Sequence, residues 1–121
     1  MTALVWFRRD LRLVDNPAWA AATSAHDRVV ALFVVDPRLF RTAATLRRDH
    51  LIARLHGLDR ELSRLGGRLR VRAGDPEVLV PREALESATV YWNDDYTPFA
   101  RRRDDAIATA LGTPPRLSLI H

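Results

Sequence analysis

The chain has 121 residues and 19 basic side chains, every one an arginine, against 15 acids and no cysteine. Without lysine, a GxxxxGK(S/T) phosphate loop and Schiff-base catalysis are excluded; without cysteine, so are thiol nucleophiles, disulfides and thiolate-held zinc or iron–sulfur sites. The length suits one domain able to bury roughly two-thirds of the surface its unfolded chain exposes, and 47% apolar residues oppose disorder.

Residues 3–7 form a continuous apolar run and are expected to be a buried strand, followed by an arginine-rich turn and a helix that starts at Asn16-Pro17. A second such run, 29–35, ends at Asp36-Pro37, and both runs suit a parallel sheet covered on its two faces. Leu51, Leu55, Leu58, Leu62 and Leu65 then recur at spacings of 4, 3, 4 and 3, predicting a helix over 46–65 that packs its leucine stripe on the sheet and stops at Gly66-Gly67. Strands are expected at 68–72 and 88–92, with helix starts at Asp75-Pro76 and Thr97-Pro98. Pro81 interrupts the intervening helical stretch, so a kink or restart is expected there.

Alternating strands and capped helices predict a three-layer, doubly wound, Rossmann-like α/β domain with a mainly parallel sheet of four to five strands. In such a sheet the ligand site lies outside the carboxyl ends of the strands, where strand order reverses. Residues 7–10, 34–36, 74–75 and 93–96 should meet there, as a polar rim beside aromatic side chains. Glycines 57, 66, 67, 74 and 112 cannot form GxGxxG, which opposes a conventional NAD site.

Catalytic candidates are few. His26, His50, His56 and His121 show no metal-ligand spacing and read as surface or boundary residues. Asp94-Asp95 are adjacent and point to opposite sides, which disfavours two-carboxylate catalysis, and no serine lies in a GxSxG elbow. A net charge of +4 and a pI near 10.8 invite a nucleic-acid reading, but the arginines are dispersed and interleaved with aspartate, as on a solvated surface. No apolar run approaches the roughly 20 residues needed to span a bilayer, and charge follows the first apolar run too soon for a signal peptide, so a cytoplasmic location with no membrane partner is expected.

Two segments carry more information. LVWFRRDLRLVDNP, from Leu4 to Pro17, leads a buried strand into an arginine-rich turn and a capped helix, and VYWNDDYTPF, from Val90 to Phe99, does the same before Arg101 to Asp104. The first closely resembles the N-terminal signature of the DNA photolyase/cryptochrome family, RRDLRLxDNPAL after a strand. The resemblance continues through ALFVVDP (31–37), the 47–65 helix, RAGDP (72–76), and Tyr91-Trp-Asn to Arg103-Asp104. It spans roughly residues 3–111, and 112–121 depart from the pattern, as a tail or a shortened fifth strand at 116–120.

The resemblance implies the N-terminal antenna domain of that family, truncated before the helical domain that holds FAD and damaged DNA. The full-length parent would split cyclobutane pyrimidine dimers by light-driven electron transfer from FAD; this segment alone is expected to be a monomer without that activity. The antenna favoured by the resemblance is an 8-hydroxy-5-deazaflavin, at positions matching Phe7, Arg9, Val34, Val35, Asp36, Arg47, Asn93, Asp94 and Asp95. Their chemistry suits a flat heteroaromatic, with aliphatic walls and a guanidinium for a phenolate oxygen. Methenyltetrahydrofolate is less favoured, because Phe99-Ala100 replaces the Asn-Glu pair of folate-type members, and FMN stays open. The alternatives are a cryptochrome photoreceptor fragment, a free-standing nucleotide-binding module of the same shape, and an arginine-rich nucleic-acid module. The pigment reading requires the turns after the first, second and fourth strands to converge on one slot.

Overall fold

The computed structural model describes residues 2–37, 45–84 and 89–93. Within them the chain runs β1 (Thr2–Phe7), α1 (Pro17–Ala25), β2 (Arg28–Val35), α2 (Thr45–Arg64), β3 (Leu69–Ala73), α3 (Pro76–Glu83) and β4 (Thr89–Tyr91). The strands form one sheet in the order β3-β2-β1-β4, and every neighbouring pair is parallel. The predicted helix start at Thr97-Pro98, the rim acids Asp94 and Asp95, and the possible edge strand at 116–120 lie outside the described residues.

Strand side chains alternate between two faces, and each face builds its own core. Ala3, Val5, Phe7, Ala31, Phe33 and Tyr91 pack with Ala18 and Ala22 of α1 and Leu58 and Leu62 of α2. Leu4, Trp6, Leu32, Val34, Val90 and Trp92 pack with Val80 and Ala84 at α3. Helices therefore cover both faces, giving the expected three-layer, doubly wound arrangement, and β1 and β2 are buried as continuous apolar strands must be.

The leucine stripe of α2 is only half used. Leu58 and Leu62 are buried, Leu51 and Leu55 are half-buried, and Leu65, just past the helix, is exposed. A helix of 20 residues is about 30 Å long, whereas a strand of 6 residues such as β1 spans about 20 Å, so the helix outruns the sheet. α2 begins after β2, so its first turns overhang the carboxyl edge of the sheet. Pro81 sits inside α3, which is not restarted there but ends just beyond it at Glu83.

Two turns are fixed by single residues. Asp59 of α2 accepts from Arg68 Nε at 3.1 Å and from the Leu69 N–H at 2.8 Å, which anchors the start of β3. The Arg68 bond and then the Leu69 N–H hold its carboxyl below the ordinary aspartate range. A depressed carboxylate stabilises the fold above its unfolded pKa and loses that contribution as pH falls through its folded pKa. Asp59→Asn is therefore expected to lower the urea midpoint at neutral pH, with the gap from wild type closing as the solution is acidified.

Gly74 joins β3 to α3 with φ +150, and its N–H donates to Val35 O at 2.9 Å. A Cβ there would lie 2.9 Å from Leu79 Cδ1. Gly74→Ala combines backbone strain with that contact, and a loss of about 1–3 kcal/mol in thermal or urea unfolding is expected.

Candidate functional site

The chain moves from β1 outward to β2 and β3, then returns to place β4 on the other side of β1. Strand order reverses at β1, so the crevice of this fold lies at the carboxyl ends of β1 and β4.

That crevice is closed by a polar clasp. The Arg8 guanidinium lies 5.0 Å over the Trp6 ring, and its Nη1 donates to Asn93 O at 3.0 Å, joining the two strand exits. The Asn93 side chain turns toward α1: Oδ1 accepts from Ala18 N at 3.1 Å, and Nδ2 donates to Asn16 Oδ1 at 2.9 Å and to Asp10 Oδ2 at 3.4 Å. Asn16 is the N-cap, accepting from Trp19 N at 3.0 Å, and its Nδ2 donates to Arg12 O at 3.0 Å and Asp10 O at 3.3 Å. Asn16 is buried, and its side chain has a partner for each of its polar atoms, as burial requires.

On the other side of β1 the rim is built by α2. Arg54 Nη2 donates to Arg9 O at 2.8 Å, fixing where the helix passes the β1 turn. Arg47 stands two turns earlier on the same helix face, about 10 Å further out, and is solvent-exposed. Beneath the overhang, Leu51, Leu55 and Val35 pack against a core containing Leu11 and Phe33. Asp36, immediately after β2, is 7% exposed. The carboxyl edge thus carries half-buried Val35, Leu51 and Leu55, Asp36 after β2, and Arg54 at the β1 exit.

The predicted site residues divide accordingly. Arg9 follows β1, Val35 closes β2 with Asp36 directly after it, and Arg47 is exposed near the start of α2. Phe7 is a core residue whose ring lies 6.0 Å from that of Trp19, tilted by 40°, and Val34 is buried in the core on the α3 side. Asn93 reaches the edge, but its amide is engaged within the chain. Asp94 and Asp95 lie outside the described residues. The exits of β1 and β4 are tied together, whereas that of β2 is tied to β3 through Gly74, so among the described residues the turns after the first, second and fourth strands do not line one slot, and the expectation narrows to the β1–β2–α2 side.

Asp10 stands at this edge as its place after β1 implies, whereas Asn16 and Arg54 are not signalled there by the sequence, Asn16 being legible only as a cap. Nor is the cavity of about 250 Å³ at the opposite, amino edge, lined by Trp19, His26, Val29, Leu62 and Arg68 among others. There His26 Nε2 lies 3.0 Å from the Tyr91 hydroxyl across 65 residues of sequence, a pairing no local pattern announces. Among the described residues no group of three or more His, Asp or Glu could hold a metal ion, and no helix is long and apolar enough to cross a membrane.

These features define a doubly wound α/β domain without a dinucleotide fingerprint, with a polar edge at the carboxyl ends of its strands. The chain belongs to the DNA photolyase family, whose model matches residues 3–115, and corresponds to the N-terminal domain of its members. A deoxyribodipyrimidine photo-lyase of Synechococcus sp. is 40% identical over 114 residues, covering 91% of this chain and 24% of the relative. A cryptochrome DASH of Oryza sativa subsp. japonica is 39% identical over 100 residues, covering 74% of this chain and 17% of the relative. The crystal structure of an archaeal photolyase from Sulfolobus tokodaii, solved with two FAD molecules, superposes with a TM-score of 0.87 at 37% identity, covering 93% of this chain and 27% of that one. The chain thus spans about a quarter of the length of the photolyases it matches. The free-standing nucleotide-binding module is not favoured by these similarities.

Proposed function

We propose that this chain is a light-harvesting domain that holds a planar antenna pigment at the β1–β2–α2 side of its carboxyl edge. The observation that carries the reading is the polar carboxyl edge itself: Val35 and Leu51 pack against the core there, Arg54 meets the β1 exit, Arg47 is exposed on the same face of α2, and the Asp36 carboxylate follows the end of β2. Aliphatic side chains suit the face of a flat heteroaromatic, a guanidinium suits an anionic ring oxygen, and the carboxylate suits a ring N–H or hydroxyl. An 8-hydroxy-5-deazaflavin has that combination, and methenyltetrahydrofolate and FMN are the less favoured occupants. When bound, such a pigment absorbs light and passes its excitation to a flavin. The chain's own residues orient the ring and shield it from water, which needs no nucleophile, base or metal.

In the longer relatives a domain of this kind is joined to further chain. The parent reading is a photolyase whose helical C-terminal domain binds FAD and damaged DNA and splits pyrimidine dimers in the light. The Sulfolobus tokodaii protein, described with two FAD molecules and a novel light-harvesting cofactor, supports a second chromophore in such proteins. Cryptochrome relatives keep a photoreceptor parent as the second reading.

Calorimetric titration of the 121-residue chain with 8-hydroxy-5-deazaflavin, FAD and ATP tests the proposal. One-to-one binding of the deazaflavin with no heat from ATP is expected. Stoichiometric FAD or ATP binding without deazaflavin binding would overturn it.

A further inference from the structure

The N-terminus of α1 opens at the point where strand order reverses, which in doubly wound folds is where a nucleotide phosphate is received by unpaired backbone N–H groups and the helix dipole. Here each of those groups is accounted for. Pro17 has no N–H; the Ala18 N–H donates to Asn93 Oδ1 at 3.1 Å; the Trp19 N–H donates to Asn16 Oδ1 at 3.0 Å; and the Ala20 N–H donates to Asn16 O at 3.0 Å. The negative partner that the dipole favours is also present, since Asp10 Oδ2 lies 3.4 Å from Asn93 Nδ2.

We propose that Asn93 is a specificity-determining residue that closes the N-terminus of α1 against phosphate, so that this edge takes its ligand by a ring and not by a phosphate at α1. The side chain is suited to this because it needs both its atoms. Oδ1 takes the place of a phosphate oxygen at Ala18, while Nδ2 faces the oxygens of Asn16 and Asp10, which would repel an incoming anion. The Arg8 bond to Asn93 O keeps the residue in place, 85 positions along the chain from its partner. A ligand phosphate arriving at α1 would have to displace two asparagine side chains and lie beside the Asp10 carboxylate. The inference narrows the pigment reading above and bears against mononucleotides bound in the usual manner of the fold.

Its test needs no pigment, so its failure is distinct from failure of the antenna reading. Inorganic phosphate and AMP are titrated into the ¹⁵N-labelled 121-residue chain, and the Ala18 and Trp19 amide resonances are followed. Neither is expected to shift saturably. In Asn93→Ala the Ala18 amide should exchange with solvent roughly fivefold to tenfold faster, as expected for loss of one capping bond, while Trp19 keeps its Asn16 protection. Saturable shifts of both amides in the wild-type chain would overturn the proposal whether or not the variant folds, as would unchanged Ala18 exchange in a folded Asn93→Ala protein.

Discussion

Trp92→Ala is expected to cost about 3–5 kcal/mol, the range for emptying a buried aromatic site. Trp92 is 1% exposed, lies 5.9 Å from Trp6, and packs with Leu4, Leu32 and Val90 on the α3 face. Against a total stability of about 5–15 kcal/mol for a domain of this kind, that loss would leave much of the variant unfolded or marginal near physiological temperature. Trp92→Phe should cost far less. The indole Nε1 of Trp92 is buried without a hydrogen-bond partner, so phenylalanine keeps most of the aromatic volume and removes an N–H whose hydration is lost on folding. Urea unfolding followed by far-ultraviolet circular dichroism measures both, and equal losses for the two variants would contradict this account of Trp92.

The second large effect is expected at Asn16. Asn16→Ala removes the N-cap bond to Trp19, the two bonds from Nδ2 to the Arg12 and Asp10 carbonyls, and the acceptor for Asn93. A cap is worth about 1 kcal/mol, and stranding buried polar partners adds about 1–3 kcal/mol, so a total near 2–4 kcal/mol is expected. Asn16→Asp keeps the cap acceptor but sets a carboxylate against the Arg12 and Asp10 carbonyls. It should fall between wild type and Asn16→Ala, again by urea midpoint.

Much of the fold was legible because its signals are local. The apolar runs located β1 and β2 to within a residue, and Asn16-Pro17 and Asp75-Pro76 marked helix starts where the side-chain caps are found. The leucine spacing located α2 but not its burial, because periodicity names a face and says nothing of how far the sheet extends beneath it. The carboxyl edge followed from parallel topology, because every strand exit of such a sheet falls on one side.

What stayed illegible depends on distant pairs. Asn93 and Asn16 are 77 residues apart, and nothing in either segment shows that one asparagine's amide is committed to the other's helix. Phe7 and Val34 were placed at the site by their position at strand ends, yet burial puts them in the two cores beneath it. Asp59 was equally hidden: an aspartate on a helix surface looks solvated until the next strand returns beside it.

The central claim is that the β1–β2–α2 edge receives a planar pigment with the Arg47 guanidinium at its rim. Visible circular dichroism of 8-hydroxy-5-deazaflavin titrated into the wild-type chain and Arg47→Ala tests it most directly, because a free achiral ring has no such signal. The account predicts a saturable induced band at one pigment per chain, and at least about tenfold weaker binding in the folded variant, corresponding to loss of a charge-assisted contact. No induced band in the wild-type chain, or the same band and affinity after Arg47→Ala, would contradict it.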